Sequence, residues 1–387
     1  MNILFLAHTS LREGSSIALA NLVKGLTALG HQVYVITNND KGPLSGMVES
    51  AGGSMFYGPV SLTVFPRTGR FLGKIMRLFR NLCRWRKAKR LVGRIIDQYH
   101  IDLVHSNVGP MNLALSECQK RGIPHVWHLR EYQDLDIGIV FFPYKGKFRK
   151  LIHQQGNYNI AITEGVFNHF SLRPDVDKVI YDGVFSEAKT KESYVQEKED
   201  YFLFVGRVQE AKCPHFMLKP FAEFLKKYPT YRLIIAGPYL ATDKYYRALK
   251  KTITASHIEK SVVFLGNRND VYELMQKAKA LIVPSRFEGF GFITAEAMMN
   301  NCLVIGRDTA GTKEQFDIGL RMTGQEIGIR FNDEKELLQG LFTAVETDTS
   351  LMLQFAREVV VSKYTLEKSA AETDVFYRQC MANHYKA

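Results

Sequence analysis

The sequence predicts an α/β protein of two doubly wound, Rossmann-like domains, and three observations carry that prediction. The chain has 387 residues, 46% of them hydrophobic, enough to bury two cores of ordinary domain size. It opens on strand, helix and strand: the apolar run Asn2 to Ala7, helical spacing over Leu19 to Leu29, and the run Gln32 to Thr37. That order belongs to a parallel sheet with a right-handed crossover. The same alternation restarts at Tyr201-Phe202-Leu203-Phe204-Val205-Gly206, after a polar, charged stretch from Glu187 to Asp200. The predicted organisation is therefore a first domain over 1–187, a hinge over 188–200, a second domain over 201–363 and a last helical segment over 364–387.

Composition narrows the function classes. No stretch approaches the eighteen consecutive apolar residues of a membrane-crossing helix. The N-terminus lacks a basic n-region and reads as a first strand, not a signal peptide, so a cytoplasmic location is expected. Cys83, Cys118, Cys213, Cys302 and Cys380 are scattered and form no C-x-x-C pair, so they read as reduced thiols. The net charge of +12 is uneven: residues 1–188 hold 23 Lys and Arg against 14 Asp and Glu, or +9, leaving +3 for the remainder. An acidic surface suits the first half better than the second.

In the first half, the loop from His8 to Ser16 lacks G-x-G-x-x-G, which argues against a dinucleotide site. From Arg67 to Arg94 there are eleven Lys or Arg and no acid, with Phe71, Ile75, Leu78, Leu82, Trp85, Ala88, Val92 and Ile95 at helical spacing. A second basic aromatic run spans 141–150. These segments read either as a docking face for an anionic membrane or as an ordinary helix with a solvated charged face. No nucleic-acid-binding module accompanies the basic residues, so no nucleic-acid partner is expected. Ile101 to Asn107 and Pro124 to Glu131 read as strands that place His105 and His128 near their C-terminal ends, where open α/β sheets bind ligands. Each imidazole could serve acid-base chemistry or be a hydrogen-bonded structural group. Ile160 to Thr163 reads as a further strand.

In the second half, Arg207 ends the first strand and Lys212 follows five residues later, in a loop that precedes a helix near Pro214. Two cations over a strand end could stabilise a departing diphosphate or be solvated loop residues. Arg232 to Gly237 and Val262 to Gly266 are the next strands. Ala278 to Val283 is a buried strand, Pro284 to Gly291 a loop with two glycines, and Ile293 to Met299 a helix. Glu288 thus lies in a loop and Glu296 in the first turns of a helix, at most about 12 Å apart by helical rise. The N–H groups at that helix start, including those of Gly289 and Gly291, suit an anion. From spacing alone, a strand-loop-helix corner with a solvated Glu and a dipole-favoured Glu reads at least as well. Cys302 to Gly306 is another strand, and Glu334 to Val345, Ser350 to Val361 and Tyr364 to Cys380 read as helices.

The pattern Pro284-Ser285-x-x-Glu288-Gly289-Phe290-Gly291-x-x-x-x-Glu296 resembles the E-x7-E signature of the retaining glycosyltransferases of family 4, which have the two-domain GT-B fold. The spacing Gly206-Arg207-x-x-x-x-Lys212 agrees with the family as well. The resemblance implies two Rossmann-like domains facing a cleft, the first on the acceptor side, the second binding a nucleotide sugar, with the terminal helix crossing back to the first. It implies transfer of a hexosyl group, with retention, to a glycan or lipid-linked acceptor in cell-surface polysaccharide or glycan biosynthesis. In this scheme Arg207 and Lys212 stabilise the leaving diphosphate, Glu288 binds the transferred sugar, Glu296 the ribose, and His128 supports the sugar ring. Gly289, Phe290 and Gly291 form the donor loop, while Gly14 in Gly14-Ser15-Ser16, and Gly311 with Thr312, correspond to the family's glycine turns at the donor. Asn267 lies where the nucleotide base is laid. The donor expected is a UDP- or GDP-sugar used as a co-substrate, with no cofactor and no metal. Asp134-Leu135-Asp136 matches the D-x-D metal signature of the other large glycosyltransferase fold, but that fold is single-domain and the match is common by chance. The protein is expected on the inner face of the membrane, peripherally. A nucleotide-sugar 2-epimerase of the same architecture and a non-catalytic sugar-binding protein are the alternatives.

Overall fold

The structure is a computed structural model that describes residues 1–65, 71–136, 138–190 and 197–386. Parts of the predicted hinge (191–196) and of the basic run (67–70) lie outside the described residues. The chain divides into two compact units, 1–186 with 365–387, and 187–364.

The first unit holds seven strands: β1 (Asn2–Leu6), β2 (Gln32–Thr37), β3 (Ser54–Tyr57), β4 (Leu103–Ser106), β5 (His125–Leu129), β6 (Asn157–Ala161) and β7 (Lys178–Val179). All pair in parallel, in the order β3-β2-β1-β4-β5-β6-β7. The order reverses between β1 and β4. Side chains alternate across a strand, so one sheet serves two cores. Ile3 and Phe5 join Leu19, Val23, Val35 and Phe376 on one face, and Leu4 and Leu6 join Trp85, Val92 and Val104 on the other.

Helix Leu366–Lys386 belongs to this unit. It packs on helix Gly14–Ala28 so closely that a Cβ on Gly25 would lie 2.3 Å from Ala370 Cβ. The buried side chains it contributes, Phe376, Tyr377 and Cys380, anchor it, since burying one large apolar side chain stabilises by about 1.5–3 kcal/mol.

In this unit the start of the first helix and the second aromatic run differ from expectation, while the basic run forms the expected helix. Helix Gly14–Ala28 starts five residues earlier than the apolar spacing indicated, because the Glu13 carbonyl accepts the N–H groups of Ser16 and Ile17 at 3.0 Å. Gly14 is therefore the first helical residue and not part of the preceding loop. The basic run forms one helix, Phe71–Gln98, whose Trp85, Ala88, Val92 and Ile95 are buried while Met76 and Phe79 stay 74% and 65% exposed. In the second basic aromatic run, Phe141 and Phe148 stack on each other inside the unit, with ring centroids 5.2 Å apart. Packing has claimed those two rings, and Tyr144 keeps most of its surface.

The second unit holds β8 (Tyr201–Val205), β9 (Arg232–Ala236), β10 (Val262–Gly266), β11 (Ala280–Val283), β12 (Leu303–Arg307) and β13 (Ile329–Phe331), all parallel, in the order β10-β9-β8-β11-β12-β13. Its core joins Phe202, Phe204, Phe221, Phe224, Ile282 and Ile305. The order reverses between β8 and β11, so the loops leaving those two strands diverge and open a crevice at their C-terminal ends. Among the described residues no helix is long and apolar enough to cross a membrane.

Candidate active site

The loop after β8 carries Arg207 and Lys212, and the loop after β11 carries Glu288, so the reversal of strand order brings together residues 76 positions apart. Lys212 closes the 3-10 turn Glu210–Lys212, and its Nζ donates to both Glu288 oxygens, at 2.7 and 2.8 Å. The pair is partly open to solvent, with side chains 32% and 15% exposed. Each side chain balances the other's charge, and both remain reachable by a ligand with phosphate and hydroxyl groups. Arg207 is exposed just beyond β8. Gly206 and Gly237 meet where β8 and β9 end: a Cβ on Gly237, which has φ +149°, would lie 2.0 Å from the Gly206 carbonyl oxygen.

The Glu288 loop is braced from helix Ala310–Thr323. Gly311 N–H donates to the Glu288 carbonyl at 2.9 Å, and Gln315 Nε2 donates to the carbonyls of Phe290 at 2.6 Å and Gly291 at 3.0 Å. Thr312 is buried, with its hydroxyl 3.4 Å from that of Thr294. Gly311 thus holds the loop, and Thr312 meets the helix that follows it, through contacts within the protein, and the Gly311 N–H is committed to Glu288. The Phe290 ring is buried at 2% exposure and meets Phe292 and Tyr364 edge-on, because an apolar ring is more stable there than at a polar crevice. Gly291 caps helix Phe292–Met299 in the left-handed conformation, φ +86°, which glycine adopts without steric cost.

A Cβ at Gly311 would stand 2.4 Å from the Phe290 carbonyl oxygen and 2.8 Å from that of Glu288, both backbone atoms. Gly311→Ala is expected to cost about 1–3 kcal/mol of stability and to displace Glu288. A urea titration beside an activity assay checks this, and a variant with unchanged midpoint and turnover would contradict it.

Glu296 lies in helix Phe292–Met299, and its Oε1 accepts the Tyr272 hydroxyl at 3.0 Å. Asn267 is exposed directly after Gly266, whose carbonyl accepts Gly237 N–H at 2.7 Å. Tyr272 and Gln315 escaped the sequence reading. Gln315 stands one helical turn after Gly311, so i,i+4 spacing could have exposed it; Tyr272 sits in no motif.

In the first unit His128 ends up buried at 2% exposure near the end of β5. Its Nδ1 lies 3.1 Å from both His105 Nε2 and an Arg130 guanidinium nitrogen. Arg130 in turn pairs with buried Asp182 and donates to Asn107 Oδ1 at 3.1 Å, and Asn107 Nδ2 donates to Ser15 O at 3.0 Å. Burial, then the Arg130 charge, push the His128 pKa well below that of a free imidazole. His128 is therefore neutral at physiological pH. Asp134 accepts Lys145 Nζ at 2.5 Å and His169 Nε2 at 2.8 Å, and Asp136 accepts Tyr132 N–H at 2.7 Å, so both carboxylates of the D-x-D segment have partners within the fold. Among the described residues no three His, Cys, Asp or Glu side chains cluster as metal ligands.

Two family models match consecutively, Glycosyltransferase Family 4 over residues 12–184 and Glycosyl transferases group 1 over 185–339. The N-acetylgalactosamine-N,N'-diacetylbacillosaminyl-diphospho-undecaprenol 4-alpha-N-acetylgalactosaminyltransferase of Campylobacter jejuni is 25% identical over 190 residues, 48% of this chain and 48% of the relative. The match therefore spans about half the length of that relative. The alpha-monoglucosyldiacylglycerol synthase of Acholeplasma laidlawii is 26% identical across 96% of this chain and 94% of its own. Among solved structures, Anabaena HepE in complex with UDP superposes with a TM-score of 0.75 at 19% identity, covering 98% of this chain and all of that one. That likeness establishes the fold, which is GT-B.

Proposed function

From a chain that carries the paired domains of the family 4 and group 1 glycosyltransferases, we propose a retaining hexosyltransferase that moves a sugar from a UDP- or GDP-sugar to a lipid-linked or glycan acceptor of cell-surface polysaccharide biosynthesis. The observation that carries this reading is the Lys212–Glu288 pair at the switch point of the second sheet. As the glycosidic bond breaks, negative charge grows on the phosphate oxygens. Lys212 and Arg207 supply the opposing charge, worth most in a site shielded from water. Glu288, released from Lys212 by the diphosphate, accepts hydrogen bonds from the sugar hydroxyls. Glu296, steadied by Tyr272, takes the ribose hydroxyls, and Asn267 lies beside the base. N–H groups at Gly289 and Gly291 face the phosphates. Gly14 opens a helix of the first unit, whose N-terminal N–H groups suit an anion. His128 donates to the sugar. Two cations and a helix terminus do the work that a metal would otherwise do.

The acceptor class is supported by the relatives, whose names specify a diphospho-undecaprenol and a diacylglycerol glycolipid. It is supported as well by the exposed Met76 and Phe79 among the basic residues of helix Phe71–Gln98, a combination that suits an anionic bilayer on the cytoplasmic side. Each basic residue at such a surface adds about 1 kcal/mol, so changing Arg77, Arg80, Arg84 and Lys87 to Ser should weaken binding to anionic liposomes about 100-fold or more. Co-sedimentation measures this, and equal binding by the variant would remove the membrane from the proposal.

Incubation of the protein with UDP- and GDP-sugars and lipid-linked acceptors, followed by NMR of the product, tests the activity. A product with the donor's anomeric configuration is expected. Conversion of the donor without any acceptor would show an epimerase, and inverted configuration would contradict retention. A donor at about 100 times its dissociation constant should also raise the melting point by about 5–10 °C.

A further inference from the structure

Tyr377 of the last helix, His105 of β4 and His128 of β5 form a buried line of polar side chains, with Arg130 beside its end. Each is at most 4% exposed. The Tyr377 hydroxyl lies 2.5 Å from His105 Nδ1, His105 Nε2 lies 3.1 Å from His128 Nδ1, and an Arg130 nitrogen lies 3.1 Å from that same Nδ1. His128 Nε2 is buried and has no hydrogen-bond partner among the described residues.

The protons can be placed by elimination. A guanidinium only donates, so the His128 Nδ1 that faces Arg130 carries no proton. Two bare ring nitrogens at 3.1 Å would repel, so His105 Nε2 carries a proton and donates to it. Both imidazoles are neutral, because burial and then the Arg130 charge lower each well below a free histidine. A neutral His105 therefore has a bare Nδ1, which accepts the Tyr377 proton; burial keeps that phenol protonated. The remaining proton of His128 must sit on Nε2.

We infer that Tyr377, His105 and Arg130 are positioning residues that lock His128 as a neutral Nε2–H hydrogen-bond donor, tying the proton placement of β5 to the C-terminal helix. His128 then serves an oxygen atom of a bound ligand as donor and does not act as a base. Asp182 contributes by holding Arg130, and no acidic side chain other than Asp182 enters the chain of bonds described. The assignment of His128 to the sugar rests on the transferase reading; the locked proton does not.

Imidazole nitrogen chemical shifts in the protein labelled with 15N-histidine read the tautomers without any substrate. His105 and His128 are both expected as Nε2–H tautomers that do not titrate between pH 5.5 and 8, the range around the free histidine pKa. A protonated His128, or one carrying its proton on Nδ1, would overturn the inference even if transfer were established. In Tyr377→Phe, His105 keeps its proton on Nε2 but its bare Nδ1 loses its hydrogen-bond donor, so the Nδ1 resonance should shift. Turnover should fall about tenfold at unchanged donor KM, as for loss of an interaction made in the transition state. Unchanged His105 shifts in that variant would likewise overturn the relay. If Tyr377→Phe does not fold, the wild-type shifts alone decide. Absence of transferase activity with the expected tautomers would leave the lock standing and remove only its proposed ligand.

Discussion

Lys212→Ala is expected to lower kcat/KM for the nucleotide sugar by about 10²–10³-fold, the range seen when one preorganised group that stabilises developing negative charge is removed. Two effects add. Under the proposed mechanism the cation that meets the leaving diphosphate is gone, and Glu288, which Lys212 holds at 2.7 Å, keeps its negative charge unbalanced beside the incoming phosphates. The fold should barely register the change, because exposed or half-exposed ion pairs contribute about 0–1 kcal/mol. Steady-state kinetics and a melting curve on the same preparation separate these effects. Wild-type kcat/KM in the variant would remove Lys212 from the mechanism, whereas a large drop in melting point would recast it as structural.

Asp182→Ala is expected to have the largest effect on stability, about 3–5 kcal/mol. Asp182 and Arg130 have side chains 5% and 3% exposed. Removing the carboxylate strands a guanidinium whose other bonds, to the carbonyl and side-chain oxygens of Asn107 and to His128 Nδ1, all at 3.1 Å, do not neutralise it. Replacing both partners, as Arg130→Met with Asp182→Leu, should recover much of the loss, since an apolar pair needs no counter-charge. The free energies come from urea titrations of the single and double variants. A loss below 1 kcal/mol for Asp182→Ala would show that solvent or another group supplies the missing charge.

The fold class was legible because a parallel sheet covered on both faces writes its strands as continuous apolar runs: Ile3 to Leu6, Phe202 to Phe204 and Leu281 to Val283 are all buried and all stood out. The edge strands β3, β7 and β13 were not, since they span four, two and three residues and carry exposed or half-exposed side chains. Arg330 in β13, held by Asp308, Asp317 and Glu326, reads as a loop residue until those partners are placed. At the candidate site, Glu288 and Glu296, and Arg207 and Lys212, were legible only through their resemblance to the family's motifs, since spacing alone suits solvated side chains as well. That Lys212 meets Glu288 depends on a strand order no local pattern contains. Brace residues were less visible still: Tyr272 precedes Glu296 by 24 positions, and Tyr377 follows His105 by 272, so only tertiary packing introduces them. Phe141 and Phe148 illustrate the opposite error, in which an aromatic, basic run suggested a surface but its rings went to the interior.

The measurement that bears most directly on a diphosphate held at the β8–β11 switch point is calorimetric titration of the protein, Arg207→Ala and Lys212→Ala with UDP and with GDP. Saturable binding of at least one nucleoside diphosphate by the wild-type chain is expected, weakened tenfold or more by either substitution. Binding of equal strength in all three proteins, or of neither nucleotide to the wild-type chain, would contradict it.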